Sequence, residues 1–382
     1  MIYLDNNATT RIDPRVLNTM MPFLTDNFAN AASTHPFGVS AHEAVKTARQ
    51  QMADLLNCET HELIFTSGAT EAINLAIKGV ADSYGHARKH IVTVQTEHKA
   101  VLDVCQYLET RGYEVTYLPV QRDGLLDLNV LKTAIRPDTI LVSVMLVNNE
   151  TGVIQPIEEI AALAHEAGAL FMTDATQAVG KLLVNVDKLG VDLLAFSAHK
   201  LYGPKGVGGL FVRQRRPNKV KLEALLHGGG HERGLRSGTL NVPGIVGLGK
   251  AAELARLAMA DAQEPQHIAS LRDRLETGLL SIPGTRVNGN TTNRLYNTTN
   301  ICFENCDSDA LIMGLEGIAV SNGSACTAAS IDPSHVLLAL GLNETEAFSC
   351  LRFSLGRFNT ETDIDATIDA IKGIVEELRA LV

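Results

Sequence analysis

Short β-rich runs alternate with helix-like segments between residues 60 and 213, and this alternation restricts the possible folds more than any other feature. Two of the runs, 139–147 and 169–174, are continuously apolar, as expected for strands buried on both faces of a mainly parallel sheet. Strands that alternate with helices indicate an α/β layered domain. The runs are ELIFT (62–66), HIVTVQ (90–95), EVTYLPV (114–120), TILVSVMLV (139–147), ALFMTD (169–174), DLLAFSA (192–198) and GLFVR (209–213).

The composition indicates a soluble globular protein that binds neither nucleic acid nor membranes directly. Of the 382 residues, 45% are hydrophobic and 20% charged, and the formal net charge is −10, whereas nucleic-acid and membrane surfaces favour basic patches. The N-terminus lacks the features of a secretion signal, and the apolar runs are far shorter than the ~20 residues of a membrane helix. We therefore expect a cytoplasmic location, with the six cysteines as free thiols. Only Cys302 and Cys306 are close in sequence, and no further ligands accompany them, so no metal site is expected.

The character of the chain changes after residue 244. A long Ala- and Leu-rich helix is followed by short strand-like segments and a final amphipathic helix, DIDATIDAIKGIVEELRALV. We expect residues 15–260 to form a large α/β domain and residues 1–14 with 261–382 to form a smaller α+β domain.

Three local patterns suggest chemistry. In IFTSGATEAINLAI (64–77) a strand leads through Ser67–Thr70 into a helix, which could be a phosphate cradle or a plain helix cap. Asp174 ends a buried strand, where an unpaired carboxylate would cost several kcal/mol, so it needs a cationic or ligand partner. Lys200 follows the next strand, either as its first solvated residue or as a Schiff-base lysine.

In this order the three patterns favour pyridoxal 5′-phosphate (PLP). This cofactor needs an anion site for its phosphate, a carboxylate that keeps its pyridine nitrogen protonated, and a lysine for its aldehyde.

The chain also resembles a known family through a series of motifs. It is similar to the group I cysteine desulfurases, of the nitrogenase-associated and housekeeping iron–sulfur assembly type. These are fold type I PLP enzymes of the class V aminotransferase family. The resemblance implies that fold, with a large domain built on a mainly parallel sheet between helices and a smaller α+β domain. The motifs are YLDNNATT (3–10), TSGATE, TEHKAV, VNNETGV, DATQ, SAHKLYGPKG, HGGGHERGLRSGT, SNGSACT and LRFSLGR (351–357).

The resemblance implies roles for individual residues. Lys200 would hold PLP covalently and take the Cα proton, Asp174 would pair with the pyridine nitrogen, and His98 would stack on the ring and take part in proton transfer. Gln177 would bind the phenolic oxygen, and Thr239 would reach the phosphate of the neighbouring subunit in a homodimer. The remaining assignments are the cofactor residues Gly68, Ala69, Thr70, Ser197, His199 and Asn149, and the substrate-carboxylate residues Asn149 and Arg352.

The resemblance makes Cys326 the nucleophile. It lies in VSNGSACTAAS (320–330), a run of small residues typical of an accessible loop. In this interpretation Cys326 takes sulfur from L-cysteine, leaving L-alanine and an enzyme persulfide. A loop thiol could then meet protein acceptors such as an iron–sulfur scaffold. Arg352 could instead form a structural ion pair, although its geometry favours a carboxylate.

Two other functions stay open at this stage. A different cysteine-, cystine- or selenocysteine-processing PLP lyase would not need the loop thiol. A non-catalytic regulator would have no need of Lys200, Asp174, His98 and Cys326 together. Housekeeping members carry an extension beyond the last helix that docks the scaffold, whereas this sequence ends at EELRALV, so scaffold docking is expected to be altered or to use other surfaces.

Overall fold

The computed structural model describes residues 1–86, 88–215, 219–323 and 332–380. The strands are β1 (Ile2–Tyr3), β2 (Leu63–Thr66), β3 (His90–Val94), β4 (Glu114–Leu118), β5 (Thr139–Ser143), β6 (Leu170–Asp174), β7 (Leu193–Ser197), β8 (Gly208–Val212), β9 (Thr285–Val287), β10 (Thr298–Phe303), β11 (Ile318–Ala319) and β12 (Cys350–Ser354). The α-helices are α1 (Pro14–Leu24), α2 (Pro36–Leu56), α3 (Ala69–Tyr84), α4 (Lys99–Glu109), α5 (Leu128–Ala134), α6 (Ile157–Glu166), α7 (Val242–Asp261), α8 (Gln263–Leu280), α9 (Ser308–Gly314), α10 (His335–Ala339), α11 (Glu344–Ala347) and α12 (Glu361–Ala380). Short 3-10 turns cover Thr60–Glu62, Ala198–Lys200 and Glu232–Gly234.

A seven-stranded sheet forms the centre of the larger part of the fold. Its strand order is β2-β8-β7-β6-β5-β3-β4. Strands β3 to β7 pair in parallel, and β8 runs antiparallel to both of its neighbours. The predicted fold class, a mainly parallel sheet in an α/β protein, is confirmed.

Helices cover both faces of this sheet. In β7 the side chains alternate: Leu193 and Ala195 belong to a buried cluster with α3 and α4, and Leu194 and Phe196 belong to one with α2, α6 and α7. Since neighbouring residues in a strand point to opposite faces, each face has its own core. This arrangement explains why the strand sequences are continuously apolar.

The carboxyl ends of β2, β3, β6 and β7 meet at one edge of the sheet, because these strands run in the same direction. Helices α3 and α4 begin a few residues after β2 and β3. Ligands of open α/β sheets bind at such an edge. The predicted residues Thr70, His98, Asp174, Ser197 and Lys200 all follow or end one of these strands.

The C-terminal part contains a separate antiparallel sheet with strand order β12-β10-β9. Helices α8 and α12 share a buried cluster with it, and Leu4 from the N-terminus joins that cluster. Strand β1 pairs in parallel with β11, so the first residues of the chain associate with the C-terminal part. The expected division into residues 15–260 and 1–14 with 261–382 stays a prediction.

The apolar run 139–147 ends as a strand earlier than its composition predicts. Strand β5 stops at Ser143, and Met145 and Leu146 are as buried as residues of the strand although they lie beyond it. Leu146 N donates to the carbonyl of Asp174. Because hydrophobicity in this run indicates burial and not strand pairing, it does not show where β5 ends.

Candidate active site

One cavity of about 520 Å³ lies at the carboxyl edge of the large sheet. It brings together nearly all described residues that the sequence predicts for the site. Those that line it are Gly68, Ala69, Thr70, His98, Asn149, Asp174, Gln177, Ser197, His199, Lys200 and Arg352. The other residues that line it are Asn7, Ala8, Thr9, Ser67, Glu71, Ile73, Met145, Val147, Thr176, Lys205, Gly206 and Gly323. The geometry therefore places these side chains together, and their individual roles stay predictions.

The N-terminus of α3 forms one end of the cavity. Its N-cap residue is Gly68, which has no side chain, so the N-cap residue accepts no side-chain hydrogen bond from the first backbone N–H groups. Such groups and the helix dipole attract anions. Ser67 N donates to Glu71 Oε2 at 2.8 Å, and Arg236 Nε donates to Glu71 Oε1 at 2.8 Å. Glu71 thus ties the loop before α3 to the segment that leads to Thr239, a link that the sequence analysis missed.

His199 also lines the cavity and is neutral at physiological pH. Burial and the nearby positive charges of Lys200 and Lys205 lower its pKa to about 4. Its Nδ1 lies 3.1 Å from Thr9 Oγ1. When that hydroxyl donates to Nδ1, the proton of the neutral ring is on Nε2, which can donate to an anion.

Asp174 provides a buried carboxylate at the end of β6. It is 6% exposed, and Oδ1 accepts from Thr176 N at 2.9 Å. Next to it in the cavity wall, the buried hydroxyl of Thr176 has no hydrogen-bond partner among the described residues. A carboxylate and an unpaired hydroxyl at one place indicate that the cavity holds a polar ligand.

Lys200 reaches the N-terminal segment. Its Nζ donates to the backbone carbonyls of Asn7 and of Ala8, the latter at 2.6 Å. The carbonyl of Asn7 also accepts from Gln177 Nε2 at 2.9 Å. Sequence reasoning noted the motif that contains Asn7 without giving it a role, because backbone acceptors leave no side-chain signature.

His98 is the N-cap residue of α4. Its Nδ1 accepts from Ala100 N at 3.0 Å. An acceptor at Nδ1 leaves Nε2 as the protonated nitrogen of the neutral ring. The cap therefore fixes both the place of the imidazole at the cavity wall and its tautomer.

Arg352 on β12 is held in place on two sides. Nη2 lies 2.6 Å from Asp5 Oδ1, and Nη1 donates to the carbonyl of Asn149 at 3.0 Å. Its Nε is buried and has no partner among the described residues. The structural ion pair considered as an alternative is thus present, and unused donors remain at the cavity.

Glu150 is a buried acid next to the cavity that the sequence analysis did not single out. Ser334 Oγ donates to its Oε2 at 2.5 Å. A Cβ added at Gly323 would lie 2.5 Å from the same oxygen. Burial raises the pKa of Glu150 to about 7, against the influence of Ser334 and Arg352.

Two predicted residues are not placed in this cavity. Thr239 is exposed and does not line the cavity. Arg236, three residues earlier, donates a hydrogen bond to Glu71, which does line it. Cys326 lies outside the described residues; Gly323, three positions before it, lines the cavity.

No group of three or more His, Cys, Asp or Glu side chains in the described ranges could hold a metal ion. Cys302 faces Cys350 across the β10–β12 ladder. In the same ranges, no helix has the length and apolarity needed to cross a membrane.

The match to a family model agrees with this geometry. Residues 2–367 match the family described as Aminotransferase class-V. The chain therefore belongs to the class-V aminotransferases, a PLP-dependent family, and this confirms the predicted membership.

Within this class, the chain is similar to curated cysteine desulfurases. The cysteine desulfurase IscS of Haemophilus influenzae (strain PittGG) is 55% identical over 383 residues, which cover 100% of this chain and 94% of that protein. A solved structure of a NifS-like protein has a TM-score of 0.91 and 38% identity, and covers 98% of this chain and 99% of its own. A structure of SspA in complex with cysteine has a TM-score of 0.83 and 40% identity, over 94% of this chain and 100% of its own.

Proposed function

We propose that this chain uses PLP to remove sulfur from L-cysteine, giving L-alanine and a persulfide on Cys326. The observation that carries the proposal is the single cavity in which an uncapped helix N-terminus, a buried carboxylate and a lysine amine meet. Cysteine desulfurases at 53–55% identity along the whole chain support the substrate, as does the cysteine complex of a similar structure.

The residues of the cavity fit PLP in chemical type. Ala69, Thr70, Ser197 and His199 all line the cavity, and they would hold the phosphate. Asp174 offers a buried carboxylate for the pyridinium nitrogen, and Gln177 offers an amide for the phenolic oxygen. A volume of about 520 Å³ accommodates a cofactor together with an amino acid. When bound, PLP withdraws electrons from the Cα of the substrate.

The chain's own residues bind and deprotonate cysteine. Arg352 and Asn149 hold the substrate carboxylate, which fixes the amino acid by charge-assisted hydrogen bonds. Lys200 takes the proton from Cα, and His98 exchanges protons with the substrate through Nε2.

The sulfur transfer step balances without an external oxidant. The Cys326 thiolate attacks Sγ of cysteine, and the Cβ–Sγ bond breaks with its electron pair left on the carbon. Cβ then takes a proton and becomes the methyl group of alanine. The transferred sulfur stays on Cys326 as a persulfide, from which a protein acceptor or a thiol reductant removes it.

Product analysis tests this function. The purified protein is incubated with L-cysteine and a thiol reductant, and alanine and sulfide are measured together, with Cys326→Ala in parallel. Equal amounts of alanine and sulfide, both lost in the variant, are expected. Pyruvate in place of alanine, with sulfide production that survives Cys326→Ala, would identify a β-eliminating lyase instead.

We also propose that the active unit is a homodimer in which Thr239 of a second copy reaches the phosphate. Thr239 is exposed and lies outside the cavity of its own chain, while Arg236 holds its segment next to Glu71. Leu17, Met21 and Leu24 are exposed at helical spacing on α1, and Phe28 is 79% exposed. Exposed apolar side chains in such number are typical of protein contacts.

Complementation tests the shared site. Lys200→Ala and Thr239→Asp are each expected to inactivate a dimer of identical chains. A mixed dimer of the two contains one site with an intact Lys200 and an intact Thr239, so co-expression should restore activity. Absence of restored activity in a purified mixed dimer would contradict the shared site.

A cytoplasmic location and an iron–sulfur scaffold as acceptor belong to the same proposal and rest on the desulfurase relatives.

A further inference from the structure

Lys181 is a buried lysine beside the cavity, four residues after Gln177. It is 6% exposed and lies in the turn that follows β6. Gly180 has a φ of +81°, and a Cβ there would lie 2.8 Å from the Cβ of Leu201. The turn that carries Lys181 is therefore packed directly against the residue that follows Lys200.

A line of hydrogen bonds joins the two lysines. Lys181 Nζ donates to Gln177 Oε1 at 3.0 Å, and Gln177 Nε2 donates to the carbonyl of Asn7 at 2.9 Å. Lys200 Nζ donates to the same carbonyl. Gln177 thus lies between Lys181 and the carbonyl that receives the active-site lysine.

Lys181 has no acidic partner within the part of the chain that the structure describes. Gln177 is its hydrogen-bond partner there, and the charges that act on it most are those of Lys200 and Arg352, both positive. Burial and these two cations lower the pKa of Lys181 to about 7. A buried amine without a counter-ion destabilises a fold, and such residues are usually retained for function.

The hydrogen bond from Lys181 fixes the orientation of the Gln177 side-chain amide. An ammonium group has donors and no acceptor, so it must face Oε1, and Nε2 then faces Asn7. One N–H of Nε2 is used by the Asn7 carbonyl, and the second remains a donor. A positive charge at Oε1 also polarises the amide and strengthens that donor.

We propose that Lys181 is a positioning residue of the cofactor site, which holds and polarises Gln177 so that Nε2 donates to the anionic phenolic oxygen of PLP. This inference rests on the proposed function, because it assumes that the cavity binds PLP. A bound anion would in turn favour the protonated form of Lys181.

Cofactor binding to the apo-enzyme provides the first readout. Lys181→Met removes the donor and the charge and keeps an unbranched side chain of similar length. We expect its dissociation constant for PLP, from a fluorescence titration, to rise about 3–10-fold, as for the loss of one buried hydrogen bond. The pH midpoint of the visible absorption of bound PLP should move upward, because a nearby cation has been removed.

A double-mutant cycle separates positioning from a merely structural role. If Lys181 acts through Gln177, adding Lys181→Met to Gln177→Ala should change the dissociation constant less than about 2-fold further. Lys188→Met is the matched control, because Lys188 is an exposed lysine paired with Glu158 on the surface. Its dissociation constant and its pH midpoint should equal those of the wild type.

A second variant covers the case in which Lys181→Met does not fold. Lys181→Gln keeps a donor and loses the charge, so it should bind PLP within about 3-fold of wild type and still move the pH midpoint. The positioning role would be overturned if the variants had the wild-type dissociation constant for PLP and the wild-type pH midpoint. It would also be overturned if the fold-changes in dissociation constant caused by Lys181→Met and Gln177→Ala multiplied in the double variant. Failure of the wild type itself to bind PLP would instead overturn the proposed function, and with it this inference.

Discussion

Arg352 Nη2 lies 2.6 Å from Asp5 Oδ1, so an ion pair from the N-terminal segment orients the guanidinium at the cavity. We predict that Arg352→Lys raises KM for L-cysteine about 10–100-fold, because a single ammonium cannot replace a planar, bidentate partner. Asp5→Asn keeps a hydrogen-bond acceptor of the same size without the charge, so it should raise KM less than Arg352→Lys does. Steady-state alanine formation measures both.

Arg274→Lys is the control for this series. Arg274 forms an exposed ion pair with Asp365 at 2.7 Å, and such pairs contribute about 0–1 kcal/mol. Its KM should equal that of the wild type. An unchanged KM in Arg352→Lys would remove Arg352 from the substrate site and leave it as the structural ion pair alone.

Glu150 should make stability depend on pH. Its pKa is about 7 in the folded protein, against an ordinary value near 4.3 in the unfolded chain. Between these values the folded state binds more protons, so the free energy of unfolding falls as the pH rises from about 4.5 to 7. Glu150→Gln keeps an acceptor for Ser334 and removes this dependence.

Urea unfolding of wild type and Glu150→Gln at pH 5 and pH 8 measures the effect. We expect the variant to gain on the order of 1–3 kcal/mol relative to wild type at pH 8, and much less at pH 5. An equal difference at the two pH values would mean that Glu150 stays ionised in the folded protein.

Gly208 allows strand β8 to approach the loop before α3. A Cβ at this position would lie 2.5 Å from the carbonyl oxygen of Phe196 and 2.8 Å from Cα of Gly68. Gly208→Ala should therefore destabilise the protein by about 1–3 kcal/mol, since both contacts are backbone atoms, and it should weaken PLP binding because Gly68 lines the cavity. Thermal unfolding and PLP titration of the purified variant measure the two effects.

Gly373→Ala is the matched control. Gly373 lies within α12, and a Cβ there would meet nothing within 4 Å. Alanine should stabilise this helix by about 0.5–1 kcal/mol and leave PLP binding unchanged. The two Gly→Ala variants are thus expected to change the free energy of unfolding in opposite directions. Equal changes would contradict the role given to the close approach of Gly208 to Phe196 and Gly68.

The sequence predicted the strands of the large sheet because burial on both faces leaves an apolar run that needs no knowledge of partners. It predicted the polar site residues for a related reason. Asp174 and Lys200 end or follow apolar strands, where polar side chains are conspicuous. Strand boundaries were harder, since Met145 and Leu146 are buried without belonging to β5.

What the sequence did not reveal depends on contacts between distant segments. The carbonyl of Asn7 receives Lys200 across 193 positions, and Arg352 meets Asp5 across 347. Glu71 and Glu150 act through hydrogen bonds whose partners are fixed only by the fold. Lys181 follows Gln177 by one helical turn's spacing, yet its sequence context gives no sign that it is buried without a counter-ion.

Lys181→Met should stabilise the apo-enzyme, and the gain should depend on pH. The pKa of Lys181 is about 7 in the folded protein and near 10.4 in the unfolded chain, so the unfolded state binds more protons between these values. The destabilisation by Lys181 is therefore fully present below pH 7 and declines as the pH rises toward 10.4. We expect the gain in unfolding free energy of Lys181→Met to be on the order of 2 kcal/mol larger at pH 6 than at pH 9.5, measured by urea unfolding without PLP. Lys188→Met, which removes a side chain 73% exposed, should change it by less than about 0.5 kcal/mol at either pH. A gain in stability together with weaker PLP binding is what a residue kept for the cofactor would give, whereas a loss of stability at both pH values would mean that Lys181 serves the fold.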